Sequence, residues 1–124
     1  MTTTSYRSLF DLTGRVAVVT GGAGGLGSEI GRGLADFGAR VVLADLDRAR
    51  ARDVAGTIEG AMAEEVDVTA LASVDALVAR PVAALERVDI LVNSAGIFHI
   101  APAVEIAHTT GRLCCASISR ARFS

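Results

Sequence analysis

The chain has 124 residues, of which 51% are hydrophobic and 4% aromatic. This length and composition fit one small domain with a core of Ala, Val, Leu and Ile. The formal net charge of -2 argues against nucleic acid or an anionic membrane surface as a partner.

No apolar run approaches the ~18 residues of a membrane-spanning helix. Residues 1–11 also lack the basic start and long apolar run of a secretory signal. We therefore predict a soluble, cytoplasmic protein. The two cysteines, Cys114 and Cys115, are adjacent. Neighbouring cysteines rarely bridge each other and two thiols alone make no metal site, so we predict no bound metal.

An apolar run and a glycine-rich segment begin the first structural unit. Arg15 to Thr20 is predicted as a strand buried on both faces, because its apolar residues are continuous. The segment Thr20 to Gly27 follows, and a helix is predicted from about Gly25 to Gly38. A strand, a glycine-rich turn and a helix in this order form a phosphate cradle, since backbone N–H groups and the positive helix end attract an anion. The apolar face predicted for this helix consists of Leu26, Ile30, Leu34 and Phe37.

Three more strands alternate with helices along the chain. The strands are predicted at Arg40 to Asp45, Ala61 to Val66 and Val88 to Val92. A polar, exposed helix from about Asp47 to Ile58 separates the first two of them. A longer helix with Thr69 as its N-cap separates the last two. The alternation predicts an α/β fold with a parallel sheet and right-handed crossovers. The apolar face of the longer helix consists of Val74, Leu77, Val78, Val82 and Leu85.

Polar residues stand at the ends of the predicted strands. Asp45 ends the second strand, 18 residues beyond Gly27, where a carboxylate accepts hydrogen bonds from the adenosine ribose of a dinucleotide. Because its charge would repel a 2′-phosphate, NAD is favoured over NADP. Asp67 follows the third strand and Asn93 the fourth, so all these residues lie at the carboxyl edge, where open α/β sheets bind ligands. A solvated strand-end acid is the alternative explanation of Asp45 taken alone.

Together these residues resemble the classical short-chain dehydrogenase/reductase family. The family pattern Thr-Gly-x-x-x-Gly-x-Gly is matched by residues 20–27, and its Asn-Asn-Ala-Gly turn by residues 93–96, with Ser94 at the second position. The family's Asp-Val pair, which holds the adenine ring, is similar to Asp67-Val68. The resemblance covers about residues 9–105. It implies a Rossmann-type doubly wound parallel sheet of about four strands, in the order 3-2-1-4, with flanking helices.

The resemblance also implies a set of cofactor-binding residues. Asp45 would lie at the adenine ribose, Leu46 next to it would also contact the cofactor, and Asp67 and Val68 would lie at the adenine ring. The opening segment, Leu9 to Gly14, is most similar to family members acting on sugar acids or to 3-oxoacyl reductases. The residues that would line the pyrophosphate are Gly21, Gly25, Leu26 and Gly27. Those that would border the adenosine and the inner ribose are Asn93, Ala95 and Gly96.

The groups that carry out the family's chemistry are missing from this sequence. The family transfers hydride between nicotinamide and a carbinol carbon, with a Tyr as acid/base whose pKa a Lys four residues later lowers. This sequence has no Lys, and its one tyrosine, Tyr6, precedes the glycine-rich turn. We therefore predict no catalytic residue in the chain. Family members are longer and usually homo-oligomeric, and their interface helices are not expected here.

The end of the chain differs in charge from the rest. Residues 1–111 carry 9 Arg and 14 acidic residues, a charge of -5, whereas residues 112–124 carry 3 Arg and no acid, a charge of +3. A one-base shift of the back-translated tail permits a family-like continuation. We predict a Rossmann domain at residues 1–106 and a divergent tail at 107–124, disordered or out of frame after a frameshift near His108. A natural short domain with a divergent tail is the alternative.

Three functions are compatible with the sequence. The chain is the cofactor-binding half of an NAD-dependent oxidoreductase and inactive alone, or it is a non-catalytic NAD-binding module, or it is a non-functional truncated product. Binding of NAD separates the first two from the third.

Overall fold

The computed structural model describes residues 5–96, with side chains at all of these positions except 81–83. The predicted tail at 107–124 and the proposed break near His108 lie outside the described residues. A short 3-10 helix, Tyr6–Phe10, comes first. The strands are β1 (Val16–Thr20), β2 (Arg40–Asp45), β3 (Met62–Glu65) and β4 (Ile90–Asn93). The helices are α1 (Gly25–Asp36), α2 (Arg48–Ala55) and α3 (Leu71–Leu85).

The four strands form one parallel sheet in the order β3-β2-β1-β4. β1 is central, and its Val18 lies opposite Val42 of β2 and Leu91 of β4. Parallel neighbours need crossover connections, and the helices that supply them lie on both faces of the sheet. The predicted Rossmann-type sheet and its strand order are confirmed.

The core consists of two apolar clusters, one on each face of the sheet. No residue of β1 is more than 2% exposed, so the prediction that this strand is buried on both faces is confirmed. Burial on both faces explains why the apolar residues of β1 and β2 are continuous rather than alternating, because neither face of these strands meets water. The cluster under α3 includes Val18, Val42, Val74 and Leu77. The cluster under α1 and α2 includes Val19, Leu43, Ala55 and Ile58.

The apolar face predicted for α1 is wrong in part. Leu26 is 71% and Phe37 is 47% exposed, whereas the buried residues of this helix are Gly27 and Gly31. Leu34 is half-buried and does pack against the core. A Cβ on Gly31 would lie 2.7 Å from a buried leucine of β2, so the helix approaches the sheet through its glycines. Hydrophobic spacing misses this face because glycine has no side chain to mark it.

α2 is shorter than predicted, and its polar character is confirmed. Asp47, expected inside the helix, is its N-cap, with Oδ1 accepting a hydrogen bond from the Arg50 N–H at 3.1 Å. The helix ends at Ala55 rather than at Ile58. Its only buried residues are Ala51 and Ala55, so most of its surface meets solvent.

The prediction of Thr69 as the N-cap of α3 is wrong. The helix begins two residues later, at Leu71, and the Thr69 hydroxyl donates to Asp67 Oδ1 at 2.6 Å. α3 continues through Pro81, a residue that has no backbone N–H to donate within the helix. Between residues 5 and 96, none of the helices combines the length and apolar character that crossing a membrane requires.

Asp89 joins β1 to β4 at the amino ends of the strands. Its N–H donates to the Val16 carbonyl at 2.9 Å, and its Oδ2 accepts the Val16 N–H at 2.8 Å. Its Oδ1 pairs with Arg15 at 3.3 Å and with Arg87. The hydrogen bonds from the Arg87 guanidinium and the Val16 backbone lower the pKa of Asp89 to about 2. The carboxylate therefore stays ionised into strongly acidic solution and holds the two strands together.

We expect the stabilisation by Asp89 to disappear in acid. Because its pKa in the folded chain is about 2, below the ordinary value of 3.8, its contribution is complete above the ordinary value and is lost as the pH falls through 2. Asp89→Asn should lower the urea midpoint of unfolding near neutral pH. The difference between the midpoints of the variant and the wild type should become smaller as the pH is lowered. Circular dichroism measures both midpoints. Asp75→Asn, at an exposed position of α3, is the control, and equal effects of the two variants would contradict this role.

Candidate functional site

The turn between β1 and α1 lies at the carboxyl edge of the sheet. Gly21 begins it with a φ of +69°, a conformation that glycine adopts without strain. The Gly24 N–H donates to the Gly21 carbonyl at 3.1 Å, which closes the turn. The Gly22 N–H donates to the Ala44 carbonyl at 3.1 Å, which fixes the turn to the end of β2.

Three glycines of this turn are required by close contact. A Cβ on Gly22 would lie 2.9 Å from the backbone Cα of Leu43. A Cβ on Gly21 would lie 2.8 Å from backbone atoms of Ser94 and Ala95, in the loop after β4. A Cβ on Gly27 would lie 2.2 Å from the Gly21 carbonyl oxygen. Gly25 differs, since a Cβ there would meet nothing within 4 Å and the residue is exposed. The turn therefore packs tightly on its inner side and is open at Gly25, the position from which a phosphate could approach the backbone.

The start of α1 supplies hydrogen-bond donors at this open side. The N-cap is Gly24, and no side chain caps the helix. The Ser28 N–H makes the first bond to the turn, to the Gly24 carbonyl at 2.9 Å. The N–H groups of Gly25, Leu26 and Gly27 come before it and have no acceptor within the helix. Three donors at the positive end of a 12-residue helix suit a diphosphate.

Asp45 contacts the turn directly. Its Oδ2 accepts the Ala23 N–H at 3.1 Å, and its Oδ1 accepts the Asp47 N–H at 3.0 Å. The residue is half-buried, and Leu46, next to it, is 69% exposed. The predicted strand-end acid is thus placed beside the predicted cradle, with its orientation fixed by two backbone donors.

Arg50 also contacts this turn, and sequence reasoning missed it. From the first turn of α2, its Nη2 donates to the Ala23 carbonyl at 3.4 Å. The pattern Arg48, Arg50, Arg52 gives no sign of which arginine faces the turn. The distinction depends on how α2 is oriented over the end of β2.

Asp67 and Val68 follow β3 at the same edge, one strand further out. Asp67 Oδ1 accepts the hydroxyl of Thr69 at 2.6 Å and its N–H at 2.9 Å, and these bonds lower the pKa of Asp67. The Asp67 N–H donates to Ser73 Oγ at 2.9 Å. Val68 is only 8% exposed and belongs to the core under α3. The carboxylate is therefore turned into its own loop, and the valine side chain is engaged mainly in packing.

The loop after β4 closes the other side of the site. Thr20 Oγ1 donates to the Val92 carbonyl at 3.3 Å and accepts the Ala95 N–H at 3.4 Å. Asn93 and Gly96 are exposed there. Thr20 thus connects the glycine-rich turn with the loop of residues 93–96.

The predicted residues therefore occupy a single edge of the sheet. The strand order places the Asp67 loop, Asp45, the glycine-rich turn and the Asn93 loop side by side along it. No group of three or more His, Cys, Asp or Glu that could hold a metal ion occurs among the residues described. A parallel α/β sheet with a glycine-rich turn and an adjacent strand-end acid at this edge defines a Rossmann-type protein.

The chain belongs to the short-chain dehydrogenase family, whose family model matches residues 15–116. It is 44% identical over 92 residues to galactitol 2-dehydrogenase from Agrobacterium fabrum, an alignment covering 73% of this chain and 36% of that protein. It is 40% identical over 102 residues to D-threitol dehydrogenase from Mycolicibacterium smegmatis, covering 79% and 39%. It is 42% identical over 96 residues to sorbitol dehydrogenase from Cereibacter sphaeroides, covering 77% and 38%.

Solved structures agree with this family. The 3-ketoacyl-(acyl-carrier-protein) reductase of Brucella melitensis, complexed with NADH, has a TM-score of 0.84 at 37% identity, covering 89% of this chain and 46% of that one. A dehydrogenase/reductase from Sinorhizobium meliloti 1021 has a TM-score of 0.83 at 36% identity, covering 90% and 46%. This chain thus spans less than half the length of each of these five proteins.

Two alanine substitutions in α1 should have opposite effects. Gly27→Ala places a Cβ 2.2 Å from the Gly21 carbonyl, and we expect overpacking to cost about 1–3 kcal/mol of unfolding free energy. Gly33→Ala meets nothing within 4 Å in the same helix, and we expect it to add about 0.5–1 kcal/mol by restricting the unfolded backbone. Urea unfolding followed by circular dichroism measures both. Equal shifts in the two variants would contradict the close contact at the turn.

Proposed function

We propose that this chain is the cofactor-binding part of an NAD-dependent short-chain dehydrogenase/reductase. Its family would transfer hydride between nicotinamide and a secondary alcohol or the matching ketone. The observation that carries the proposal is the contact of Asp45 Oδ2 with the Ala23 N–H at 3.1 Å. This contact supports the proposal because a carboxylate next to a glycine-rich turn is the arrangement that a dinucleotide requires for its ribose and its phosphates.

Each part of the site has a role in this proposal. The N–H groups at the start of α1 would bind the pyrophosphate, at the open side of the turn beside Gly25, where a Cβ would meet nothing within 4 Å. Asp45 would accept hydrogen bonds from the hydroxyls of the adenine ribose. The residues that would border the adenine ring are Leu46, Asp67 and Val68. Those that would border the inner ribose are Asn93, Ala95 and Gly96.

The charge of Asp45 supports NAD rather than NADP as the cofactor. A 2′-phosphate on the adenine ribose would bring its negative charge to the carboxylate. Because Asp45 is held by the N–H groups of Ala23 and Asp47, it cannot turn away without losing both bonds. Bound NAD would accept a hydride from the alcohol carbon.

The proton-transfer groups of the proposed reaction lie outside these 124 residues. The sequence has no Lys, and Tyr6 belongs to the 3-10 helix before β1. The proposed complete enzyme is cytoplasmic and homo-oligomeric, with the catalytic half supplied by residues absent from this sequence. Polyols are the proposed substrate class, because three relatives are named for galactitol, D-threitol and sorbitol.

A non-catalytic NAD-binding module is the second candidate. Two observations favour it: the predicted cofactor-binding residues lie along one edge of the sheet, and the sequence lacks the family's Tyr and Lys pair. A non-functional product of a frameshift near His108 is the third. The family match reaches residue 116, eight residues past His108, so the gene sequence must locate any break.

We expect the chain to bind NAD, and Asp45→Asn to weaken that binding about tenfold, since hydrogen bonds to a charged group contribute about 1.5–3 kcal/mol and the amide keeps only part of this. Isothermal titration calorimetry measures both dissociation constants. Asp53→Asn, at an exposed position of α2, is the matched control and should bind like the wild type. Failure of the wild type to bind NAD at millimolar concentration would contradict the first two candidates and favour the non-functional product.

We expect no oxidation of galactitol, sorbitol or threitol by the 124-residue chain with NAD, measured as NADH absorbance. Turnover would show that the sequence contains a proton-transfer group other than the family's tyrosine. Sequencing the gene past codon 124 tests the frameshift separately. The shifted frame should encode a Tyr followed four residues later by a Lys, and its absence would overturn the frameshift.

A further inference from the structure

The 3-10 helix before β1 carries large apolar side chains that are exposed to solvent. Tyr6 is 81% and Leu9 is 66% exposed, and they lie on one face of the helix, because a 3-10 helix has three residues per turn. Phe10 is exposed as well, and its ring meets the exposed ring of Phe37 edge to face, with 6.5 Å between the centroids. None of the five residues of this helix is buried. These four side chains form one surface, the amino-terminal patch.

Backbone hydrogen bonds fix the position of the patch. The Leu12 N–H donates to the Phe37 carbonyl at 2.8 Å, and the Arg15 N–H donates to the Leu12 carbonyl at 2.9 Å. The patch lies where β1 and β2 begin, at the amino edge of the sheet, so it is opposite to the edge that holds the candidate cofactor site. A fixed apolar surface of this kind marks an interaction site.

The size of the patch suits a weak interface between two proteins. A large aromatic side chain buries about 150–250 Å², so the exposed parts of the four residues offer roughly 500 Å². Two such patches in contact would bury roughly 1,000 Å², at the lower end of specific interfaces. An interface of that size forms reversibly rather than permanently.

The surface beside the patch is complementary to the patch itself. A groove of about 570 Å³ lies between the 3-10 helix, which contributes Arg7, and the end of α1, which contributes Asp36 and Phe37. Tyr6 protrudes beside this groove and does not line it. A surface with a protruding ring, a groove and charges of both signs fits a second copy across a two-fold axis, since each feature meets its complement.

One arginine and one aspartate of the groove are available for pairing between copies. Arg7 and Asp36 are exposed, and the ion pairs formed within residues 5–96 include neither of them. Asp11 also lines the groove, but its carboxylate already accepts two hydrogen bonds from Thr13. Asp36 is therefore the acid that an arginine of a second copy would meet.

We propose that the amino-terminal patch is a contact between two copies of this chain, related by a two-fold axis. Tyr6 of each copy lies in the groove of the partner subunit, and its Arg7 pairs with Asp36 of the partner subunit. The contact does not depend on the proposed function, because it uses no residue of the carboxyl edge. It leaves the candidate cofactor sites of both copies free, at opposite ends of the dimer.

Sedimentation equilibrium of the 124-residue chain over a range of micromolar concentrations measures the dissociation constant of the dimer. We expect Leu9→Ser to raise it about tenfold, since burial of a leucine is lost from each copy. Leu71→Ser is the matched control, because it makes the same change at a leucine that is 71% exposed in α3, outside the patch. A wild-type chain that stays monomeric would overturn the proposal, and so would equal effects of the two variants.

Charge reversal tests the pairing of Arg7 with Asp36. Arg7→Asp and Asp36→Arg each place like charges across the two-fold axis, so each variant alone should dimerise about tenfold more weakly than the wild type. Mixed in equal amounts, the two variants form pairs of opposite charge and should recover most of the dimer. Circular dichroism checks that each variant is folded. Folded variants that do not recover on mixing would contradict the two-fold contact.

The fluorescence of Tyr6 gives a measurement that requires no variant. The chain has one Tyr and no Trp, so its tyrosine fluorescence comes from this residue alone. Quenching by acrylamide should decrease as the protein concentration rises through the dissociation constant, because the partner subunit covers the ring. Association that leaves the quenching unchanged would place Tyr6 outside the contact and overturn the proposal. A chain that binds NAD and stays monomeric would overturn this inference and leave the proposed function intact.

Discussion

The carboxyl edge of the sheet depends on backbone contact at two residues that carry no side chain. Any Cβ at Gly21 would collide with the loop after β4, and any Cβ at Gly27 would collide with Gly21 itself. Because these contacts are made by backbone, the turn, the start of α1 and the β4 loop are fixed relative to one another without the variability of side-chain packing. This contact therefore also fixes the positions of the backbone N–H groups at the start of α1 and of the Asp45 carboxylate.

Much of the fold followed from the sequence, since parallel strands buried on both faces are marked by continuous apolar runs. β1 and β2 were predicted on this basis, and so was the order of the sheet through the family resemblance. The face of α1 was not, because it approaches the sheet through Gly27 and Gly31, which hydrophobic spacing does not detect. Thr69 is not at the cap position because α3 begins at Leu71, and the Val74 N–H donates to the carbonyl of Ala70 at 3.1 Å.

The sequence predicted which residues of the candidate site lie at the ends of strands. It did not predict which side chains contact each other. Parallel strands bring their carboxyl ends to one edge, which is why Asp45, Asp67 and Asn93 could be placed together from their positions in the chain. The contact of Arg50 with the turn spans 27 residues and depends on the rotation of α2. The bond between Asp89 and Val16 spans 73 residues, and nothing local in the sequence marks it.

The central position of β1 has a consequence for how the chain is made. Its partner β2 follows after a single helix, whereas β4 is the last of the four described strands to leave a ribosome. Closing the longer loop costs more chain entropy, by about 0.6 kcal/mol for each doubling of its length. During synthesis one edge of β1 therefore stays unpaired after the other is complete. The nascent chain passes through a stage in which its most buried strand is temporarily an edge strand, open to association with other chains.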